Sequence, residues 1–417
     1  MTVTLDGREY TLQQAGRFLE EPDRALRQRA WEAIASRRLT ERQKLDDIFD
    51  KQLDLRGRIA ANAGLPNFRA WAWKQNKRFD YAPTDALKFA DAIEAACMPL
   101  IHELDRQRKA ALGLPELRPW DLEVDPQNRP PLRPFTDDAV PAFVEKVKTI
   151  FHRLSSELAD EFDTLRQQNN LDLASRKGKQ PGGYQCSLEE VGQPFIFMNA
   201  AGTQRDVETL LHEGGHAFHC LASRAEPLLF LRAIPMEFCE VASMSMELLG
   251  SEHLDVFYPP HDAARAKRTL LEGIIRFLPW MATIDSFQHW LYTHPGHTRE
   301  MRTGQWLKLC NRFGRSVDWS GHEAVRESLW QRQLHLFHHP FYYIEYGIAQ
   351  LGALQLWTRS KQDLRKALDG YRTALRLAGT RPLPELFTAA NLRFDFSEQT
   401  LRPLMAAIRE ELSRLPQ

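Results

Sequence analysis

Residues 205–221 read RDVETLLHEGGHAFHCL and contain the pattern His-Glu-x-x-His. Apolar residues recur in this stretch at three- and four-residue spacing, which predicts a buried helix. On such a helix His212 and His216 lie one turn apart on one face, so both imidazoles can reach a single metal ion. Glu213 projects beside them, where a carboxylate can take a proton from a metal-bound water.

The two central residues of the pattern are Gly214 and Gly215. Each glycine lowers helix propensity by about 1 kcal/mol relative to alanine. Two adjacent glycines in a buried helix therefore indicate the close approach of a substrate or of a neighbouring backbone. Because a chain with 14 histidines contains His-Glu-x-x-His by chance in about one case in thirty, the interpretation needs further ligands.

Catalytic zinc takes three protein ligands and keeps a fourth position for water. The segment PMEFCEVASMSMELLG at 235–250 offers Glu237, Glu240 and Glu247, which share one helix face. Apolar residues between them would bury these carboxylates, and buried carboxylates require a cation. Spacing does not choose among the three, since each can bind the metal or orient a histidine by accepting its free N–H.

The composition argues against several classes of partner. Lys and Arg together number 55, as do Asp and Glu, so no charge excess favours nucleic acid or an anionic membrane surface. The N-terminus MTVTLDGREY has neither the basic nor the apolar region of a secretory signal peptide. No apolar run approaches the length of about 20 residues that is needed to span a bilayer. We therefore expect neither a nucleic-acid nor a membrane partner, and the oligomeric state is not predictable.

Five cysteines are scattered along the chain without Cys-x-x-Cys spacing. An odd, scattered set argues against a disulfide framework and favours a reducing compartment, so we expect a cytoplasmic location. Cys220 and Cys239 lie close to the histidine and glutamate segments and can bind metal, although a cysteine is more often a small core residue.

The chain reads as mainly α-helical, with helical periodicity over most of its length. Six prolines between 115 and 134 forbid regular helix there. We therefore divide the chain into an N-terminal helical region, 1–134, and a catalytic helical region, 135–417, both parts of one unit. A single β-ribbon is predicted where Gly182-Gly183 precede Tyr184-Gln185-Cys186 and a Gly-Gln-Pro turn leads into the apolar run 195–198.

Three segments resemble the M3 family of zinc oligopeptidases, and in particular its oligoendopeptidase F type. They are TLLHEGGHAFH at 209–219, EFCEVASMSMELL at 237–249 and QLHLFHHPFYYIEYGIAQLGALQLW at 333–357. The resemblance extends over nearly the whole chain. It implies a helical, two-lobed zincin metallopeptidase with a small β-ribbon beside the active-site helix.

The resemblance also implies roles for individual residues. His212, His216 and Glu240 would bind one zinc ion per chain, and Glu213 would be the general base. Glu247 would support a metal ligand from behind, while Glu237 would be a neighbour without a role at the metal.

A late cluster of histidine and tyrosine residues would close over the substrate carbonyl, and the resemblance places it at His335, Tyr342 and Tyr346. The neighbouring His338 and His339 leave the choice of histidine open. Pro340 suits the first turn of a helix, after which the two tyrosines would lie one turn apart. A core aromatic pair is the alternative interpretation of these tyrosines.

Further residues are expected to contact the substrate, which by resemblance would be a short peptide in a deep channel. They are Phe195, Phe197 and Tyr343. The ribbon at 195–198 offers an edge on which an extended peptide can add as a strand.

We therefore expect a zinc-dependent oligoendopeptidase that hydrolyses internal peptide bonds by metal-activated water. One alternative is an exopeptidase built on the same site. Another is a truncated, non-catalytic interaction module, because members of the family usually carry a further N-terminal helical region of a hundred or more residues before the part that LDGREYTLQQAG, 5–16, resembles.

Overall fold

The chain is mainly α-helical with small sheets, which confirms the predicted fold class. The structure is a computed structural model that describes residues 1–136, 139–176, 179–180 and 182–416, except for the side chain of residue 13. Among the described residues, no helix combines the length and the apolar character needed to cross a bilayer.

The strands of the described chain are β1 Thr2–Leu5, β2 Arg8–Thr11, β3 Leu171–Ala174, β4 Tyr184–Leu188 and β5 Gln193–Ala200. The α-helices are α1 Leu12–Gly16, α2 Arg24–Leu39, α3 Arg42–Asn62, α4 Phe68–Gln75, α5 Pro83–Ala111, α6 Val140–Leu154, α7 Ser156–Gln167, α8 Gln204–Ser223, α9 Leu229–Arg232, α10 Met236–Gly250, α11 Pro260–Thr293, α12 Arg299–Arg312, α13 Glu323–Glu327, α14 Leu334–His338, α15 Tyr343–Ser360, α16 Leu364–Arg376, α17 Leu383–Ala389 and α18 Glu398–Arg414. Short 3-10 helices span Arg17–Glu20, Pro119–Asp121, Ser251–Val256 and Leu329–Arg332.

The chain forms two compact units, and each unit consists of two separate stretches of sequence. The first unit comprises Met1–Pro131 and Ile275–Ile344, and the second comprises Leu132–Ile274 and Glu345–Gln417. The chain first crosses from one unit to the other between residues 131 and 132, inside the proline-rich stretch 115–134. The predicted division at residue 134 into an N-terminal and a catalytic region stays a prediction.

The first unit begins with a β-hairpin that the sequence analysis did not predict. Strands β1 and β2 pair antiparallel across Asp6 and Gly7, whose φ angles are 49° and 79°. Asp-Gly is a typical sequence for a two-residue hairpin turn with positive φ at both positions. Val3 and Leu5 of this hairpin pack against α2 and are buried. Because the chain contains this second pair of strands, the expectation of a single β-ribbon was wrong.

The second unit contains a three-stranded sheet in the order β3-β5-β4. Strand β5 pairs parallel with β3 and antiparallel with β4, and its residues alternate between partly exposed and buried. The buried ammonium group of Lys179 lies 2.9 Å from the carbonyl oxygens of Asp172 and Ala174 and 2.5 Å from that of Met198. These contacts join β3 to β5. Because β4 and β5 pack on α8, the predicted ribbon beside the active-site helix is confirmed.

Helix α8 covers the stretch 205–221, as the sequence predicts. Its start is fixed by Asp206, whose Oδ2 accepts hydrogen bonds from the backbone N–H and the hydroxyl of Thr203 at 2.8 and 3.0 Å. The carboxylate thereby satisfies the backbone N–H of Thr203, the residue before the helix, which has no partner within the helix.

Helices α8 and α10 pack closely where Gly215 faces the backbone of α10. A Cβ atom at Gly215 would lie 2.5 Å from both the Ala242 oxygen and the Ser243 Cα. At Gly214 a Cβ atom would instead lie 2.6 Å from the end of the Phe151 ring. The close approach that the paired glycines indicate is therefore, at Gly215, that of a neighbouring backbone.

We expect Gly215→Ala to lower the free energy of unfolding by about 1–3 kcal/mol, because the added methyl group overlaps backbone atoms that no side-chain rotation can move. Chemical denaturation followed by circular dichroism measures this. Gly214→Ala is the matched control and should lose less, since the Phe151 ring can move and alanine favours the helix by about 1 kcal/mol. A Gly215→Ala variant as stable as the wild type would contradict the packing argument.

Candidate metal centre

One atom from each of three side chains converges between α8 and α10. The Nε2 atoms of His212 and His216 lie 3.3 and 3.6 Å from Oε2 of Glu240. The potential ligand atoms of these residues all lie within 4.8 Å of one another. The structure thus brings together the three residues that the resemblance assigns to the metal.

The distances suit a tetrahedral ion. Zinc lies about 2.0–2.1 Å from His nitrogen and carboxylate oxygen ligands, which places two tetrahedral ligands about 3.3 Å apart. Both measured nitrogen–oxygen distances are near that value. The donor set of two imidazoles and a carboxylate is one that catalytic zinc uses.

Two further side chains contact the residues of this cluster. Glu247 Oε1 lies 2.6 Å from Nδ1 of His212, so the carboxylate orients the ring and leaves Nε2 for the convergent site. The Ser243 hydroxyl lies 3.1 Å from Oε2 of Glu240. The sequence analysis missed Ser243, although its position three residues after Glu240 on the same helix is the available signal.

The side chains of His212, His216 and Glu240 are close enough to change one another's pKa values. Burial disfavours protonated His212, but hydrogen bonds to Glu240 and Glu247 outweigh it and hold the His212 pKa well above its usual value. Burial lowers the pKa of His216 to about 4. Burial also opposes ionisation of Glu240, yet the attraction of His216 and the hydrogen bond with His212 lower its pKa to about 2. An ionised Glu240 beside two imidazoles can bind a cation once His212 has released its proton, because only a neutral imidazole binds metal.

Glu213, the residue after His212 on α8, occupies a different environment. Its side chain is buried, and its Oε2 atom has no hydrogen-bond partner. Burial raises the Glu213 pKa to about 7, although the nearby backbone of Gln185 on β4 favours the ionised carboxylate. A buried, unsatisfied carboxylate oxygen beside a metal-ligand cluster is available to bind a water molecule or a reacting proton.

Glu237, Cys220 and Cys239 lie outside the ligand cluster. Glu237 is buried in the first turn of α10. Cys220 accepts a hydrogen bond from the Ser187 hydroxyl at 3.1 Å, and burial raises the pKa of both thiols. His219 is buried with its ring against Phe238, at a centroid distance of 6.0 Å.

The residues of the predicted late aromatic cluster belong to two different units. His335, Tyr342 and Tyr343 belong to the first unit, and Tyr346 belongs to the second. The His335 ring lies 5.8 Å from the Tyr342 ring and 5.0 Å from the Tyr343 ring. Tyr343 is buried, whereas the other two tyrosines are partly exposed. The roles of these residues stay predictions.

The expectation that Pro340 begins a helix was wrong. Helix α14 ends at His338 and α15 begins at Tyr343, so Tyr342 precedes the helix. Between them Phe341 has a φ of 65°, and its N–H donates to Gln288 Oε1 at 2.5 Å. A bulky residue with positive φ breaks regular helix, and the buried hydrogen bond stabilises that turn.

The expectation that the ribbon at 195–198 pairs with a peptide was also wrong. This segment lies in β5, the central strand, whose two edges are occupied by β3 and β4. The rings of Phe195 and Phe197 are partly exposed, and Phe197 stacks on Tyr184 at 4.9 Å. Substrate contact through these rings stays a prediction, whereas strand addition is geometrically excluded on β5.

The chain is similar to peptidases of known structure. It superimposes on Pz peptidase A, determined with an inhibitor, with a TM-score of 0.93 and 31% identity over 99% of this chain and 73% of that chain. Oligoendopeptidase F from Enterococcus faecium shares the fold, with a TM-score of 0.67 and 16% identity over 99% of this chain and 67% of that chain.

Among curated proteins, Oligopeptidase PepF of Bacillus subtilis (strain 168) is 24% identical over 300 residues, which is 69% of this chain. The chain spans 42% of the length of that relative. The family model described as Peptidase family M3 matches residues 17–406. The chain therefore belongs to peptidase family M3, and within it is similar to the oligoendopeptidase F type.

Proposed function

We propose that this chain is a zinc-dependent endopeptidase that hydrolyses internal bonds of short peptides. The observation that carries the proposal is the convergence of His212, His216 and Glu240 on one point, beside the buried carboxylate of Glu213. Membership of a peptidase family and the likeness to an oligopeptidase support the reaction class.

A zinc ion held by the three ligands would supply Lewis acidity and lower the pKa of water. The protein supplies the proton transfers. Glu213 would accept a proton from the attacking water and then deliver it to the leaving amine. Its Oε2 atom is the group that can do so, because it is buried without a hydrogen-bond partner and is available to a water molecule.

Positioning of the ligands rests on neighbouring side chains. Glu247 would keep the Nδ1 atom of His212 protonated and its Nε2 atom free to bind the metal. Ser243 would hold the Glu240 carboxylate in place. His335, Tyr342 and Tyr346 stay our proposal for the groups that stabilise the oxyanion, which is typically worth about 2.7–4 kcal/mol per preorganised donor.

Strand β4 takes the place of β5 as the proposed peptide-binding edge. It is an edge strand, and the backbone of Gln185 within it lies close enough to Glu213 to favour the ionised carboxylate. A peptide that adds to this edge would therefore pass beside the general base. Main-chain pairing of this kind provides affinity with little dependence on sequence.

The five cysteines are free in the described chain, and free thiols are typical of proteins in a reducing compartment. We propose on this basis that the protein acts in the cytoplasm. Fractionation of the producing cell tests it, and recovery of the protein outside the cytoplasm would contradict it.

We expect Glu213→Gln to reduce hydrolysis of an internally quenched peptide by a factor of about 10²–10⁴, because the variant cannot accept the proton. Its zinc content, measured by mass spectrometry of the dialysed protein, should equal that of the wild type. Tight zinc binding at one ion per chain without any Glu213-dependent turnover would defeat the enzyme proposal and favour a non-catalytic module.

We expect Glu240→Ala to lose the metal and Glu237→Ala to retain it. The two glutamates are a matched pair, since both are buried and lie one turn apart on α10. The zinc-to-protein ratio should fall towards zero in the first variant and stay near one in the second. Full occupancy in Glu240→Ala would overturn the ligand assignment.

An endopeptidase should cleave a peptide that is acetylated at its N-terminus and amidated at its C-terminus, because no free terminus has to be recognised. Mass spectrometry of the products identifies the bond that is cut. Cleavage only of peptides with a free terminus, one residue or dipeptide at a time, would establish the alternative exopeptidase function.

A further inference from the structure

An exposed group of apolar side chains lies at one end of the second unit. We call it the apolar platform, and its members are Leu188 (40% exposed), Val191 (60%), Leu228 (60%), Leu229 (52%) and Phe230 (90%). Two come from the end of β4 and the turn that follows it, and three from the connection between α8 and α10. Contiguous exposed apolar groups of this kind mark binding surfaces in soluble proteins.

The two parts of the platform are adjacent. Arg232 Nη1 lies 3.5 Å from the carboxylate of Glu189, the residue after Leu188. A Cβ atom at Gly192 would lie 2.9 Å from Arg224 Nε, so the β4–β5 turn also contacts the end of α8. The hairpin turn and the α8–α10 connection thus form one surface.

The backbone of the α8–α10 connection is fixed. Arg232 Nε donates to the carbonyl oxygen of Glu226 at 2.7 Å. The carbonyl oxygen of Leu231 accepts a hydrogen bond from the Gly379 N–H, also at 2.7 Å. Apolar side chains displayed on a fixed backbone lose little entropy on binding, so they favour contact with a ligand.

The platform continues the edge strand that passes the general base. Gln185 contacts Glu213, and Leu188 lies three residues further along β4, or about 10 Å at the rise of a strand. Strand β4 remains beside α8 over this distance, because Ser187 contacts Cys220, seven residues after Glu213. Seven residues of helix also span about 10 Å.

We propose that the apolar platform binds an apolar side chain of the peptide substrate, three to five residues from the bond that is cut. The inference rests on the proposed peptidase function. An extended peptide on the β4 edge advances about 3.3 Å per residue. Its third residue from Glu213 therefore reaches Leu188, and the next residues reach Leu228, Leu229 and Phe230.

A peptide suits this surface better than a second copy of the chain does. The exposed apolar area of the platform is on the order of 500 Å², whereas a stable protein interface buries about 800 Å² on each partner. An area of this size fits one or two side chains of a ligand. The platform thus selects peptides by an apolar residue at a distance from the cleavage site.

The test uses a series of internally quenched peptides with blocked termini and one scissile bond, in which the other residues are polar. Each peptide of the series has one leucine in place of serine, at one of the positions up to five residues on either side of the scissile bond. We expect the wild type to show a KM about tenfold lower for leucine than for serine at one position three to five residues from the cut bond. Phe230→Ser and Leu229→Ser should reduce this ratio to near one. Phe79→Ser, at a ring that is 78% exposed in the first unit, is the matched control and should keep the ratio.

Binding to the Glu213→Gln variant separates failure of this inference from failure of the proposed function. Fluorescence anisotropy should show the same preference for leucine in that background, and its loss when Phe230→Ser is added. Absence of hydrolysis together with leucine-dependent binding would overturn the proposed function alone.

Two results would overturn the platform proposal. One is equal affinity for leucine and serine at every position in the wild type, or a preference that survives Phe230→Ser. The other is a dimer in analytical ultracentrifugation that Phe230→Ser dissociates, without any leucine preference, which would assign the surface to a second copy of the chain.

Discussion

The site depends on the distance between two helix backbones. At Gly215 the backbone of α8 comes so close to α10 that a methyl group would overlap Ala242 and Ser243. This approach lets the short Glu240 side chain lie within 3.3 and 3.6 Å of imidazoles on the facing helix. A wider separation would leave the ionised carboxylate buried without its two imidazole partners, and an unpaired buried charge costs several kcal/mol.

Two glutamates near each other have opposite electrostatic environments. Glu240, next to two histidines, has its pKa lowered to about 2, whereas burial raises the pKa of Glu213 to about 7. A carboxylate that stays ionised is suited to bind a cation, and one that titrates near neutrality is suited to exchange protons. The division of roles that we propose would therefore follow from the partners of each carboxylate and not from residue type.

Much of this architecture could be predicted from local sequence patterns. The periodicity around His212 gives α8, and the acidic stripe gives α10, because both signals repeat within one helix. The choice of Glu240 over Glu237 came from resemblance, since spacing alone is the same for a ligand and a neighbour. Strand β3 was missed because its partner β5 is more than twenty residues away, and such pairing leaves no local pattern. The hairpin at Asp6–Gly7 had a local signal that was overlooked.

The interleaving of the two units limits how the gene product can be divided. Each unit is completed only by a later stretch of chain. The chain crosses from one unit to the other after residues 131, 274 and 344. The last two of these crossings lie inside the helices α11 and α15. A fragment that ends at residue 274 would contain incomplete parts of both units, including all the metal-cluster residues without the helices α16 and α17 that pack against α8 and α10. Neither unit can therefore be produced as one uninterrupted segment of sequence, and duplication or exchange of either unit would require its two stretches to be joined by a new linker.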